Sequence, residues 1–211
     1  MIDRGCASEP EMVLEFLRQD IQSPDWIPCY QNSRHWAQRT ALLEQPDLQN
    51  DDDNAARGEL LGAGRGYGRN SCLFAGFPMD MAWRRFAIEN AEVQRLKYIA
   101  EKTWIGVSNG SRLVGDGAKY LDRDPKLLSK IDAIAQRYQA GESLGTLIGV
   151  RAAAESAPVL LEGHHRATAM VRARKPESIE ILMGTSARVS EWCWYMERPL
   201  RMSPLPFGRM G

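Results

Sequence analysis

The segment from Pro158 to Ala173 constrains the fold more than any other part of the chain. A short apolar run, Pro158–Leu161, predicts a buried β-strand, and Gly163 ends it. The alanine- and arginine-rich run that follows predicts a helix as far as Ala173. A strand that turns directly into a helix presents free backbone N–H groups and the positive end of the helix dipole, which together can bind an anion.

This turn also carries four chemically capable side chains. It reads Glu162-Gly163-His164-His165-Arg166, and the whole chain has only 3 histidines. Arg166 can hold a phosphate bidentately, either histidine can donate to phosphate oxygens or move a proton, and Glu162 can ligate Mg²⁺ or act as a base. Consecutive helical residues diverge by about 100°, so we expect only one histidine to meet a ligand. In the alternative, structural interpretation the histidines fill the turn and Arg166 forms a surface salt bridge.

Other residues extend this predicted site. Thr168 follows the histidines by one helical turn and could face the same ligand. Asp116 lies in a predicted loop and is a candidate base, metal ligand or substrate-binding residue. The glycine-rich run Gly62–Asn70 lacks the order of a phosphate-binding P-loop and predicts either a mobile loop or a lid, with Arg65 and Arg69 closing over an anion. A zinc site is less favoured, because adjacent histidines do not readily reach one tetrahedral ion.

The composition limits the partners that we expect. Lys+Arg and Asp+Glu both total 27, and this zero formal net charge argues against a nucleic-acid partner. The four cysteines form no C-x-x-C pair, so neither a zinc knuckle nor a redox motif is indicated. Without a signal segment or an apolar run of membrane-spanning length, the sequence predicts a cytoplasmic protein that does not enter a membrane, and it indicates no oligomeric state.

From Trp104 onward the pattern predicts the order β, loop, α, β, β, α, β. The predicted elements are a strand at 104–108, a helix from Asp124-Pro125 to Gly141, strands at 144–150 and 158–161, the helix after Gly163, which Pro176 stops, and a strand at 179–183.

The first half is predicted to be mainly helical. Predicted helices cover 11–17, 35–43 and a stretch from Asp80, as N-cap, to about Thr103, and Asn50–Asn54 is predicted to be a loop. We therefore expect an α+β fold: a helical region 1–103 packed on a core of 104–198, with a surface tail at 199–211.

The order of elements that ends in Glu162-Gly163-His164-His165-Arg166-Ala167-Thr168-Ala169 resembles the ParB/sulfiredoxin-like superfamily over residues 104–185. The hallmark of that superfamily is a G-x-x-R turn, here Gly163–Arg166, which holds the phosphates of a bound nucleotide. The resemblance implies a small mixed sheet with helices, and ATP or ADP, or another nucleotide, bound with Mg²⁺. It also implies that Arg112 lies in a loop facing the nucleotide.

Three branches of this superfamily differ at the turn. Sulfiredoxins carry G-C-H-R, and here His164 replaces the cysteine. Partition proteins carry G-E-R-R and a DNA-binding domain downstream, for which we expect too little chain after the last strand. The D-G-H-H-R branch, which includes the free-serine kinases, is most similar, with Glu162 in place of aspartate.

This similarity implies a nucleotide-dependent phosphotransferase that acts on a small hydroxylated metabolite. Two alternatives stay open: a nucleotide-binding regulator without enzymatic activity, and a nuclease or other phosphate-ester enzyme on the same scaffold.

Overall fold

The computed structural model describes residues 1–154, 156–175 and 177–196. Pro176 and the tail predicted at 199–211 lie outside these residues. The elements are β1 (Ile2–Cys6), α1 (Glu9–Asp20), α2 (Ile27–Tyr30), α3 (Arg39–Glu44), α4 (Asp51–Arg65), β2 (Ala82–Ile88), α5 (Asn90–Val93), α6 (Lys102–Val107), α7 (Val114–Tyr120), α8 (Pro125–Gln139), β3 (Leu147–Arg151), β4 (Val159–Glu162), α9 (His164–Ala173) and β5 (Ile179–Thr185). Short 3₁₀ helices occur at Trp36–Gln38, Cys72–Phe74, Leu121–Arg123 and Ala187–Glu191.

One mixed sheet organises the described chain. Its strand order is β1-β2-β5-β3-β4, and all neighbours are antiparallel except β3 and β5. β4 returns antiparallel to β3, and α9 then carries the chain back so that β5 pairs in parallel with β3, with Ile148 opposite Leu182. The α+β class predicted from the sequence is confirmed.

The sheet lies between two layers of helices, because successive strand residues point to opposite faces. On β3, Leu147 packs in one apolar core and Ile148 in the other. The first core is completed by α6 to α9, and the second by α1 to α4, which we call the N-terminal layer. Both layers reach the ends of β3 and β4, where the turn at Gly163 lies.

The sheet also crosses the boundary expected at residue 103. β1 and β2 come from the first 103 residues and pair in the same sheet as β5. The first part of the chain therefore supplies two strands as well as a helical layer.

Several predicted elements of the second half are confirmed. α8 begins after Asp124, whose side chain accepts a hydrogen bond from the Leu127 amide at 3.1 Å, and Pro125 is its first residue. β3, β4, α9 and β5 overlap the strands and the helix predicted around the turn. In the first half, α1 contains the predicted helix 11–17, and the 3₁₀ turn and α3 cover the one predicted at 35–43.

The strand predicted at 104–108 is wrong, because residues 104–107 belong to α6 and Ser108 is its C-cap. The Glu101 side chain caps this helix by accepting from the Thr103 amide at 2.9 Å. Trp104 and Val107 then lie one turn apart and are both buried. A side-chain cap and a helical face outweighed the strand preference of the apolar run.

The helix predicted from Asp80 to about Thr103 is also wrong. Most of its first half is β2, which pairs along its full length with β5 from Ala82 to Ile88. Trp83, Phe86 and Ile88 are buried in the two cores. The apolar spacing suited a helix, but pairing with two neighbouring strands decided the conformation.

The loops predicted at Asn50–Asn54 and Gly62–Asn70 are wrong where they overlap α4. The Asn50 side chain caps α4 by accepting from the amides of Asp52 and Asp53, and the acidic first turn complements the helix dipole. The helix continues through Gly62 and Gly64 to Arg65 and ends at Gly66. Arg65 therefore belongs to a rigid helix and not to a mobile lid.

Within the parts of the chain that the structure describes, we find no helix with the length and apolarity needed to cross a membrane.

Candidate functional site

The strand-to-helix turn has the geometry that the sequence predicted. β4 ends at Glu162, Gly163 has a left-handed φ of 98°, and α9 begins at His164. A Cβ on Gly163 would lie 2.5 Å from Cδ2 of Leu147, so this position requires glycine for both its φ and its contact. Among the described residues, no side chain caps the N-terminus of α9. The first amides of this helix are therefore available to an anion.

His164 lies buried beneath an aromatic stack. It is 8% exposed, its ring is stacked on Trp104 at 5.3 Å, and Trp104 is stacked on Tyr98 at 4.5 Å. The Nε2 atom of His164 is buried and has no hydrogen-bond partner within the described structure. An orphaned buried polar atom is costly, and at the start of an uncapped helix it indicates a place where a ligand could bind.

His165 faces a different environment, as expected for consecutive helical residues. Its ring packs edge-on against Trp104, with the ring centroids 5.2 Å apart. Lys130 and Asp25 form an ion pair nearby, with Nζ and Oδ2 2.7 Å apart, and both charges influence the pKa of His165. Asp25 lies between α1 and α2, so the N-terminal layer reaches this histidine.

Both histidines are neutral at physiological pH. Burial lowers the pKa of His164 to about 4, against the opposing effect of Glu162. Burial, followed by the charge of Lys130, lowers the pKa of His165 to about 4 as well. A neutral imidazole has one nitrogen that donates and one that accepts, so Nε2 of His164 can interact with a ligand without carrying charge.

Glu162 is held as a carboxylate. Burial raises its pKa, but the charges of Arg166 and Arg65 and a hydrogen bond from the Gly163 backbone outweigh that effect, and the pKa lies below its usual range. Arg166 Nη2 donates to its Oε1 at 3.3 Å. The side chain of Glu162 is 18% exposed, so the carboxylate can still be reached.

Arg166 is already engaged in the described structure. Its Nη1 donates to the carbonyls of Leu144 at 2.7 Å and Thr146 at 3.0 Å, in addition to the bond with Glu162. The guanidinium therefore fastens the start of β3 to the turn. To grip a phosphate bidentately it would have to exchange some of these bonds.

Arg65 acts on the turn through its charge, which lowers the pKa of Glu162, and it does not form part of a lid. Its guanidinium donates to both carboxylate oxygens of Asp20, at 2.5 and 2.6 Å, and lies 3.3 Å over the Trp26 ring. The Tyr30 hydroxyl donates to the same carboxylate at 2.5 Å. Burial raises the pKa of Asp20, the charge of Arg65 lowers it, and the charge of Glu162 raises it further. Asp20 and Arg65 therefore interact electrostatically with the turn.

Thr168 lies beneath the turn rather than facing a ligand. It is fully buried, and its hydroxyl donates to the His164 carbonyl at 2.7 Å and bonds to the Tyr98 hydroxyl at 2.7 Å. Its predicted phosphate contact is therefore replaced by a role in holding the backbone of the turn.

The remaining predicted residues lie on other elements or have other partners. Arg112 is 5% exposed and donates to the carbonyls of Tyr98, Trp194 and Tyr195, so it ties this loop to the chain near residue 195. Asp116 lies in the first turn of α7. Arg69 is exposed and lies alongside Gly62 of α4.

A metal ion would need oxygens beyond those of the turn. In the described ranges no group of three or more His, Cys, Asp and Glu side chains could hold a metal ion. Mg²⁺ is usually bound by one or two carboxylates together with substrate phosphates. Glu162 fits this arrangement as the one carboxylate of the turn.

Sequence reasoning missed the aromatic and acidic neighbours of the turn. Asp20 and Tyr30 are ordinary members of α1 and α2, and Trp104 stood in a run that predicted a strand. Trp26, in an otherwise polar turn, was the only one of them with a distinctive local context.

Comparisons with protein-family models, curated proteins and solved structures found no match to this chain. Its own geometry thus defines its class: an α+β protein with a charged, mostly buried site at a strand-to-helix turn, between two helical layers.

Proposed function

We propose that the chain is a nucleotide-dependent phosphotransferase that acts on a small hydroxylated metabolite and binds the phosphates of ATP or ADP at the Gly163–Arg166 turn. One observation carries the proposal: Nε2 of His164 is buried without a partner at the start of an uncapped helix. A phosphate oxygen there would meet the helix amides and this nitrogen together.

Glu162 is the base of the proposed reaction. The acceptor's hydroxyl oxygen forms a bond to the terminal phosphorus, the bond from that phosphorus to the nucleotide breaks, and Glu162 takes the hydroxyl proton. This carboxyl is ionised at neutral pH, so it can accept the proton. Mg²⁺ would be held by the nucleotide's phosphates and Glu162, where it would neutralise phosphate charge.

The proposal includes a ParB/sulfiredoxin-like arrangement of the second half. The succession of β3, β4, Gly163 turn, α9 and β5 supports it. The helix α6, where that fold would begin with a strand, is a departure. The proposal also assigns the protein to the cytoplasm, in keeping with four cysteines that are free of disulfides.

A second candidate function is a nucleotide-binding regulator without catalysis. The bond of Arg166 to Glu162 at 3.3 Å favours it, because the pair neutralises the carboxylate that would act as base. In this alternative, nucleotide binding separates the pair and changes the conformation of the turn without phosphoryl transfer.

The decisive experiment measures binding first and turnover second. Thermal shift with ATP, ADP, CTP and GTP, with and without Mg²⁺, should show stabilisation of the wild type by at least one nucleotide. His164→Gln should abolish the shift, whereas His35→Gln, the matched control on the remaining histidine, should retain it.

A panel of hydroxy acids and hydroxy amino acids then tests for nucleotide-dependent phosphorylation. Binding without product would support the regulator. Absence of both binding and product would reject the proposal, and metal-dependent cleavage of nucleic acid lost in Glu162→Ala would replace it with a nuclease.

A further inference from the structure

Tyr98 is a fully buried residue whose side chain contacts the start of α9. Its amide donates to the Arg112 carbonyl at 2.8 Å, and its own carbonyl accepts from Nε and Nη2 of Arg112 at 2.9 and 2.6 Å. Gly117 of α7 packs so closely on it that a Cβ there would overlap the Tyr98 hydroxyl. The backbone and the ring of Tyr98 therefore have little freedom to move.

The hydroxyl of Tyr98 holds the backbone of the turn through Thr168. Thr168 donates its single hydroxyl hydrogen to the His164 carbonyl at 2.7 Å, so Tyr98 donates the 2.7 Å bond between the two hydroxyls. Tyr98 and Thr168 are both fully buried, and no water competes for these bonds. The chain of two hydrogen bonds has one direction and fixes the His164 carbonyl in the first turn of α9.

The ring of Tyr98 holds the side chain of the same histidine. It is stacked on Trp104 with the ring centroids 4.5 Å apart, and Trp104 is stacked on His164 at 5.3 Å. The ring planes of Tyr98 and His164 are within 23° of each other, at 6.0 Å. Three nearly parallel rings restrict rotation of the imidazole, which carries the buried Nε2 that has no partner among the described residues.

Tyr138, in the same apolar core, shows how a tyrosine looks when it only packs. It is 5% exposed, and within the described part of the chain its buried hydroxyl has no hydrogen-bond partner. The hydroxyl of Tyr98 is instead bonded toward the turn. Filling the core therefore does not explain the hydroxyl of Tyr98, because the core accepts a tyrosine whose hydroxyl is unbonded.

We propose that Tyr98 is a positioning residue for the anion site at the turn: it fixes the backbone of His164 through Thr168 and the imidazole of His164 through Trp104. The two kinds of donor that would meet a phosphate oxygen, the first α9 amides and Nε2 of His164, are thereby held in one geometry before a ligand arrives. This inference rests on the proposed function for the identity of the ligand. Tyr98 acts through its neighbours and needs no contact with that ligand.

Amide hydrogen exchange of the full-length protein, followed by NMR without any nucleotide, tests how firmly the turn is held. The Ala167 amide donates to the Gly163 carbonyl at 2.8 Å and closes the first turn of α9. We define the exchange ratio as the rate at Ala167 divided by the rate at Leu182 in the central strand β5, which reports global unfolding. Tyr98→Phe removes only the hydroxyl and should raise this ratio about tenfold. Tyr138→Phe, the matched control, should leave it within about twofold.

Further variants test the same chain of bonds from both ends. Thr168→Val removes both hydrogen bonds, so the double variant with Tyr98→Phe should match Thr168→Val alone, and Thr168→Ser should restore the wild-type ratio. Gly117→Ala displaces the Tyr98 hydroxyl from α7 without changing Tyr98 itself and should also raise the ratio. Gly115→Ala, on the same helix, places its Cβ 3.2 Å from Gln94 and should not.

A second measurement follows the α9 amide signals of the wild type and the variants as inorganic phosphate or ADP is added. Tyr98→Phe should weaken the Kd by about fivefold, because a displaced amide or imidazole donates with poorer geometry. Tyr138→Phe should bind as the wild type does. A purely structural role for Tyr98 would change the exchange ratio without changing the Kd.

The inference is overturned where folded Tyr98→Phe and Gly117→Ala both leave the exchange ratio within about twofold of the wild type. It is also overturned where the ratio rises but the Kd is unchanged. Binding of inorganic phosphate without binding of any nucleotide would reject the proposed function alone, and the Tyr98 variants would still decide the inference. A wild type that binds neither would overturn both.

Discussion

Arg65 donates to both carboxylate oxygens of Asp20 at the edge of the N-terminal layer, 45 residues apart in the chain. The glycine-rich sequence around Arg65 had predicted a mobile basic lid. In the structure the Arg65 guanidinium is instead held by Asp20, and its charge still lowers the pKa of Glu162 at the turn. A site of this kind is assembled before any ligand arrives, which limits the cost of ordering it on binding.

Replacing the proposed base should separate binding from chemistry. Glu162→Gln keeps the shape of the side chain but cannot take a proton, so we expect kcat to fall by about 10²- to 10⁴-fold. The Kd of the nucleotide without Mg²⁺, measured by calorimetry, should stay within about threefold, since the α9 amides and His164 are unchanged. The exposed carboxylate of Glu142 gives the control: Glu142→Gln should leave both quantities alone. Normal turnover in Glu162→Gln would contradict the role of this carboxylate.

Removing Arg166 should weaken both the fold and the phosphate site. Arg166→Ala frees the carbonyls of Leu144 and Thr146 and leaves Glu162 largely buried without its nearest cation. We expect a loss of about 3 kcal/mol in the free energy of unfolding, measured by urea denaturation, and no nucleotide shift in variants that remain folded.

Arg172, on the same helix, gives the comparison for Arg166. It is more exposed and pairs with Asp132 at 2.8 Å, so Arg172→Ala should cost about 1 kcal/mol or less. Equal losses for the two arginines would show that the bonds of Arg166 at the turn are not special.

The buried histidines should make the protein less stable in mild acid. The pKa of His164 is about 4 in the folded chain and about 6.5 when unfolded, so the unfolded chain binds more protons between these values. Stability is therefore fully present above pH 6.5 and is lost as pH falls toward 4, by about 3 kcal/mol for His164 alone.

Urea unfolding at pH 7 and pH 5 tests this pH dependence. His164→Phe, which can keep the aromatic stack, should reduce the fall to the part that comes from His165, whereas His35→Gln should reproduce the wild type. A wild-type free energy of unfolding that is constant between pH 7 and pH 5 would contradict a neutral, buried His164.

Adding one methyl group at the turn should test its geometry. Gly163→Ala places a Cβ at a φ of 98° and 2.5 Å from Leu147, so we expect a loss of about 3 kcal/mol in the free energy of unfolding. Gly110 has a similar φ of 88° but open space around its Cβ position. Gly110→Ala should therefore cost only about 1 kcal/mol, and the difference between the two measures the contact with Leu147.

Local chemistry predicted much of the region around the turn. Asp124 and Pro125 signalled the start of α8 because capping and a fixed φ act within a few residues. The same holds for Gly163, where a strand pattern stops and a helical one begins. These signals need no information from distant parts of the chain.

Elements that depend on distant neighbours could not be predicted in this way. Trp83 and Phe86 are spaced as on a helix, yet they lie on β2 because β1 and β5 flank it. Thr168 has the right spacing to face a ligand, but packing against Tyr98 buries its hydroxyl. In both cases the partner lies far along the chain.

The sequence by itself determined the α+β class, the strand-to-helix turn and the identity of Glu162, His164, His165 and Arg166, because spacing, capping and glycine act locally. Only the tertiary structure decided what surrounds them. The Trp104 stack over His164 and the pairing of Arg65 with Asp20 near Glu162 arise when two helical layers pack on opposite faces of one sheet. The charged and aromatic side chains of the two layers then lie together in a buried region, where electrostatic interactions are strong enough to set the pKa values of the site.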